Sequence, residues 1–276
     1  MTNKDLNISV IISTYNMPRW LEKVLYGYEC QSYRNFEIVI ADDGSGDETR
    51  QLIDKFNMNS DLDIQHVWHE DDGFQKCRIL NKAIVASKYD YLLFSDGDCI
   101  PKNDFLEIHA QHAERGFFLS GGYFKLPMSI SEKIEKAHIQ SGKAFDLSWL
   151  KQQGLNSSIK NWKLSSSGVL ESLLNSLTPT NASWNGHNAS GWKADMIEIN
   201  GFNEEMAYGG EDREFGERLF NLGVKSKQLR YSAICLHLDH ERGYVNEAVL
   251  KKNLKIRNHT KKHMVIKTPN GINKIR

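Results

Sequence analysis

The sequence predicts an α/β protein with a mostly parallel, Rossmann-like central sheet flanked by helices, and three observations carry that reading. Apolar runs of strand length alternate with segments of helical periodicity over the first hundred residues. That is the pattern of parallel strands joined by right-handed crossovers. Four of the runs end in polar clusters, at Thr14-Tyr15-Asn16, Asp42-Asp43, His69 to Asp72 and Asp96 to Asp98. Ligands of open α/β sheets bind at the carboxyl ends of the strands, so four such endings in succession describe a pocket. The last ending, Asp96-Gly97-Asp98, sets two carboxylates one residue apart, where they can converge on a hard cation. Taken alone the triplet is more often a turn, because Asp and Gly dominate turns; its three companions outweigh that reading.

Taken in order, Ile8–Thr14 is β-branched and apolar, and Pro18 then suits the first turn of a helix with Leu21, Val24, Leu25 and Tyr28 on one face. Residues 36–41 form a second strand; Asp47 and Glu48 open a helix that buries Leu52, Ile53 and Phe56. Ile64–Trp68 is a third strand, residues 77–86 are helical, and residues 89–95 form the strand that delivers the Asp-Gly-Asp. Gly97 leaves room for a polyphosphate approaching the cation. After a strand over 117–126 the alternation stops, and residues 129–180 read as a polar helical insertion covering the acceptor side. Small residues from Asn185 to Gly191 describe a loop beside the pocket. Gly209-Gly210 precedes a helix with Glu211 and Asp212 in its first turn, where the dipole favours acids. A last strand over 232–236 leads to His237-Leu238-Asp239-His240.

The 276 residues suffice for one large α/β domain over 1–242, with the insertion at about 127–182 and a basic helical tail over 243–276. Zero net charge argues against a general nucleic-acid binder. The tail holds Lys251, Lys252, Lys255, Arg257, Lys261, Lys262, Lys267, Lys274 and Arg276 against Glu247, which is a solvated face or a landing strip for an anionic membrane. Four scattered cysteines fit buried thiols in a reducing compartment. With no apolar leader or span, the expectation is a cytoplasmic protein, peripheral at most at the inner membrane face.

The ordered set Val10 to Asn16 with Pro18, Phe36 to Ser45 with Asp47, Gly73 to Arg78 with Asn81 and Ala83, and Ser95 to Asp98 with Pro101 resembles inverting glycosyltransferase family 2, of the GT-A fold. Asn200-Gly201-Phe202, Gly209-Gly210-Glu211-Asp212 and the His-x-x-His resemble the galactosyltransferase and chondroitin-polymerase-like module. The resemblance covers roughly residues 8–125 and 185–242. It implies sugar transfer from a UDP-sugar with Mn²⁺ or Mg²⁺ to a saccharide or lipid-linked saccharide acceptor, in bacterial lipopolysaccharide or surface-polysaccharide assembly. By the same resemblance Asp212 is the base, with Glu211 orienting hydroxyls. The metal side is Asp98 with His237 or His240, which of the two being open. The donor side is Thr14, Tyr15, Asn16, Asp42, Asp43, Asp71, Arg78, Asp96 and Gly97, with Asp42 or Asp43 on the uracil and Arg78 facing a phosphate or locking Asp96. The acceptor side is Gly191, Trp192, Tyr208, Gly209 and Gly210, although Trp184, Trp192 and Tyr208 are equally readable as core.

Two rivals remain. A nucleotidyltransferase would carry a glycine-rich loop after the first strand, where this chain has Thr14-Tyr15-Asn16-Met17-Pro18. A catalytically silent sugar-nucleotide-binding protein would have no need to keep both Asp-Gly-Asp and Glu-Asp.

Overall fold

The computed structural model describes residues 5–165, 168–176, 182–241 and 246–274. The expected alternation is present as β1 (Ile8–Thr14), α1 (Pro18–Glu29), β2 (Phe36–Asp42), α2 (Asp47–Asn59), β3 (Ile64–Trp68), α3 (Lys76–Ala86), β4 (Tyr91–Asp96), β5 (Cys99–Pro101), α4 (Phe105–His112) and β6 (Phe117–Lys125). Short helices follow in the insertion: α5 (Met128–Ser131), α6 (Lys136–Gln140), α7 (Leu147–Gln152), α8 (Trp162–Ser165) and α9 (Gly168–Ser176). The chain closes with β7 (Asn188–Trp192), α10 (Lys193–Glu198), α11 (Glu211–Leu222), β8 (Lys225–His237) and α12 (Glu247–Lys262). Residues 166–167 and 177–181 of the expected insertion, and 243–245 and 275–276 of the expected tail, lie outside the described residues.

Among the described residues eight strands join one sheet in the order β3-β2-β1-β4-β7-β6-β8-β5. Successive residues of a strand point to opposite faces, and both faces are covered. Ile8, Val10 and Ile12 of β1 pack with Leu21 and Val24 of α1, Phe56 of α2 and Phe105 of α4. Ile11 turns the other way, toward Ile79 and Leu80 of α3, Met196 of α10 and Phe215 of α11. Continuous apolar runs in β1, β2 and β4 are what a sheet buried on both sides requires.

Register brings the functional ends together. The parallel pairs Thr14↔Asp42, Asp42↔Trp68 and Ser13↔Asp96 align the carboxyl ends of β1 to β4. β7 runs antiparallel to β4 with Asn188 opposite Ser95, so the loop entering β7 arrives beside Asp96. β8 pairs antiparallel with β5, His237 opposite Cys99, so its carboxyl end arrives beside Asp98.

Asn188 ties these late strands together. Its amide donates to the carbonyls of Gly122 and Ala233, and its Oδ1 accepts from His109 Nε2. Burial pushes His109 down to about 4, so the ring is neutral and its Nδ1 accepts from Ser190 Oγ. Gly121 is required here, since a methyl group on it would overlap the Asn188 amide at 2.1 Å.

Two expectations are corrected. Residues 188–192 are an interior strand rather than a loop. Its small residues suit a strand wedged between two neighbours, but they carry no β-branched signal. β8 begins at Lys225, seven residues before the apolar segment that announced it. The basic tail is helical over Glu247–Lys262 and packs against the rest of the chain. Asn253 is fully buried and donates to the carbonyls of Ala207, Tyr208 and Gly209, Thr260 donates to Glu214, and Arg257 pairs with Glu217.

Arg218, on α11, is fully enclosed: Nε donates to Glu214 at 2.9 Å, and Nη1 and Nη2 donate to the carbonyls of Ile199 and Gly201. Arg218→Met strands a buried carboxylate and two carbonyls. The expected loss is about 3–5 kcal/mol of unfolding free energy, read by urea denaturation.

Candidate active site

The candidate site lies at the carboxyl edge of the sheet, and its residues form three groups, named metal-binding, nucleotide and base sides after the roles the sequence leads one to expect of them. On the metal-binding side Asp98 follows β4 and is buried. His240 Nε2 stands 3.1 Å and His237 Nε2 3.7 Å from its Oδ2. Each ring donates from Nδ1 to a backbone carbonyl, His237 to Leu238 and His240 to Glu241. With Nδ1 engaged, each ring turns Nε2 toward the Asp98 carboxylate. One carboxylate and two imidazole nitrogens converging in this way are a donor set that fits a divalent ion. Cys99 Sγ, 3.4 Å from Asp98 Oδ1, lies in the same cluster. All three expected metal residues are therefore brought together.

Asp96 turns away from this cluster. Its Oδ1 accepts from Ser13 Oγ at 2.6 Å and Lys76 Nζ at 2.8 Å. Burial alone would raise its pKa, but the Lys76 ammonium, helped by His187, holds the carboxyl well below the usual carboxylate range. The lock on Asp96 is thus Lys76 and not Arg78, which is exposed and lines a cleft with His69, Glu70, Asp71, Gln75 and Lys82.

On the nucleotide side, Tyr15 reaches across to Asp71 with a 2.9 Å hydrogen bond that raises the phenol's pKa. Asn16, at φ +48°, donates from its backbone to Ser45 Oγ and accepts from Gly46, bracing the turn after β2. Asp43 is raised by burial against the opposing hydrogen bond from His69 Nε2. Asp42 is corrected: it is fully enclosed, with its oxygens taken by Ser45 N and His66 Nε2, so no base can reach it. Thr14 Oγ1 is buried and has no hydrogen-bond partner among the described residues. It packs on Gly97, where a methyl group would come 3.0 Å from the Ser13 carbonyl and 3.1 Å from Thr14 Oγ1. A side chain at 97 would therefore crowd the end of β1.

On the base side, Gly209 and Gly210 sit at φ +107° and +93°, a left-handed turn that delivers Glu211 and Asp212 into the first turn of α11. Glu211 accepts from Gly209 N at 2.7 Å. Asp212 is half-buried against Gly186, where a methyl group would stand 2.6 Å from its Oδ1, and that oxygen has no hydrogen-bond partner among the described residues. Burial first, then the charges of Glu211 and Asp96, push Asp212 up to about 7 in spite of Lys76. Tyr208 lies edge-on to Phe74 at the same turn. Gly191 and Trp192 are corrected: Trp192 pairs with Tyr91 at the opposite end of β4, its ring against Tyr91 and under Arg115. Gly191 packs on Phe118 and Trp184, and Trp184 is fully buried. All three belong to the core.

Lys76 and His187 escaped the sequence reading. Burial pushes the His187 ring down to about 4 although it faces Asp96 and Asp98, and it stacks edge-on against Tyr123 at 4.6 Å. The one available signal was its place next to Gly186, in the loop before β7.

A mixed, mostly parallel sheet carrying an Asp-x-Asp, two imidazoles and a second acidic pair at its carboxyl edge is an α/β scaffold of the GT-A type. Residues 9–148 match the profile of glycosyl transferase family 2, and the chain belongs to that family. Residues 181–241 match a profile described as the N-terminal domain of galactosyltransferase. Among curated relatives, chondroitin synthase from Escherichia coli is 25% identical over 78% of this chain. Hyaluronan synthase from Pasteurella multocida is 28% identical over 80% of it. The chain spans 32% and 23% of the lengths of those two proteins. In fold it is similar to Staphylococcus aureus TarS residues 1–349, solved with UDP-GlcNAc: TM-score 0.62, 16% identity, 95% of this chain and 70% of that one. Among the described residues no helix is long and apolar enough to cross a membrane.

Asp98→Ala removes the anionic member of the metal-binding cluster. Manganese affinity, followed by the free-ion paramagnetic resonance signal, is expected to fall by about tenfold or more; an unchanged affinity would contradict the assignment.

Proposed function

We propose that the chain is an inverting, metal-dependent glycosyltransferase moving a hexose or N-acetylhexosamine from a UDP-sugar to a saccharide acceptor in bacterial surface-polysaccharide or lipopolysaccharide assembly. The observation that carries this reading is the carboxylate of Asp212, with one unpartnered buried oxygen and an affinity for protons tuned to about 7. A general base works best when its pKa lies near the working pH, and burial with the charges of Glu211 and Asp96 raises this one against the pull of Lys76. Family membership and the likeness to polysaccharide synthases support the substrate class.

The acceptor hydroxyl gives its proton to Asp212 Oδ1 as its oxygen bonds to the anomeric carbon from the face opposite the diphosphate. The bond from that carbon to the diphosphate oxygen breaks, and its electron pair leaves on UDP. Glu211, fixed by Gly209 N–H, orients acceptor or donor hydroxyls beside the base. Tyr15, Asp43 and Asp71 hold the nucleotide. Asp98 with His237 or His240 would hold a divalent cation, which supplies positive charge to the leaving diphosphate. An imidazole in the set favours Mn²⁺ over Mg²⁺.

The direct test is UDP release from a panel of UDP-sugars, with Mn²⁺ and candidate saccharides; no release from any would contradict the reading. Asp212→Asn is expected to lower turnover by about 10²–10⁴ while leaving UDP·Mn²⁺ affinity, measured by calorimetry, nearly intact. The base must be deprotonated to act, so wild-type turnover should fall as pH drops through about 7 and level off above it. Near-normal activity in the variant would remove Asp212 as the base.

A further inference from the structure

Lys76 occupies the first turn of α3, where the helix dipole disfavours a cation and where no acid accompanies it. Its ammonium is nevertheless turned inward, the side chain only 19% exposed, by the 2.8 Å ion pair with Asp96. The same Asp96 oxygen takes the Ser13 hydroxyl, so the carboxylate's orientation is set from two sides. The charges of Asp212 and Glu211 also act on this ammonium; burial would depress it, and together with Asp96 they hold it well above the ordinary lysine range. A lysine on a solvated helix face would have no such surroundings.

We propose that Lys76 is a positioning residue for the transfer reaction, bridging the donor-side carboxylate of Asp96 and the acceptor-side carboxylates of Glu211 and Asp212. This rests on the reading of Asp212 as the base. The groups facing Asp212 are Glu211 on its own helix, Lys76 and the Cys77 thiol on α3, Asp96 at the end of β4, and the Gly186 backbone from the loop before β7. Glu211 and Asp96 push protons onto Asp212, and Lys76 is the positive charge set against them. Two carboxylates near a third in a partly buried site repel unless a cation offsets their charge. Lys76 therefore links a correctly seated Asp96 to a base that can be deprotonated at neutral pH, and it does so without touching the acceptor.

The test is Lys76→Met and Lys76→Gln, with Lys76→Arg as the conservative control, each checked for folding by thermal melting. Asp212 is titrated by carbon-13 carboxyl resonance, its signal identified by its loss in Asp212→Asn. Both neutral variants are expected to move its midpoint upward by about one pH unit or more, with Arg returning it close to the wild-type value. The acid limb of turnover should move in the same direction. A folded Met or Gln variant with an unshifted Asp212 titration would overturn the proposal. A shifted titration with an unmoved activity profile would support the Lys76 bridge and remove Asp212 as the base.

Discussion

Like charges crowded at one edge of a sheet set the constraint on which this structure depends. Six carboxylates from three separate segments meet there, and most are matched one by one. Asp42 has His66, Asp43 has His69, Asp96 has Lys76 and Ser13, and Glu211 has the Gly209 amide. Asp98 faces the Nε2 atoms of His237 and His240, and Asp212 keeps an oxygen without a hydrogen-bond partner among the described residues.

Topology explains how the pieces meet. Parallel strands carry the nucleotide side on their carboxyl ends, a geometry any doubly wound sheet provides. The base and imidazole sides come from much later in the chain, and they arrive because β7, antiparallel to β4, and β8, parallel to β6, join the same sheet. Asn188 is the joint, its amide spanning β6, β7 and β8 in the interior with His109 and Ser190 behind it. Fully satisfied buried networks of this kind specify one arrangement, because any slip leaves polar atoms stranded. The last segment then clamps the Gly-Gly turn: Asn253 holds the carbonyls of 207–209 from behind, so a helix that carries no chemistry fixes where Asp212 stands.

The first half of the chain was legible because its signals are local. An apolar run ending in acids reveals both a strand and its functional end, and β1, β2 and β4 were read that way with the residues at their ends. What escaped depends on contacts between distant residues. β7 is Asn-Ala-Ser-Gly-Trp, a composition of loops, and becomes a strand only because β4 and β6 receive it. Trp192 looked available for a sugar until register put it at the far end of β4. Lys76 reads as a solvated helix residue unless Asp96 and Asp212 are known to face it. The basic tail looked like a surface because its lysines are conspicuous, whereas the residues that dock it, Asn253 and Thr260, are not.

The central claim is spatial: a cation at Asp98 and a base at Asp212 on opposite sides of one bound sugar nucleotide. It is tested most directly by anomalous diffraction at the manganese edge from crystals soaked with Mn²⁺ and an unreactive UDP-sugar analogue. The account predicts a peak bonded to Asp98 and to His237 or His240, with the Asp212 carboxylate facing the anomeric carbon from the side away from the diphosphate. Manganese bound elsewhere, or a sugar whose far face looks away from Asp212, would contradict it.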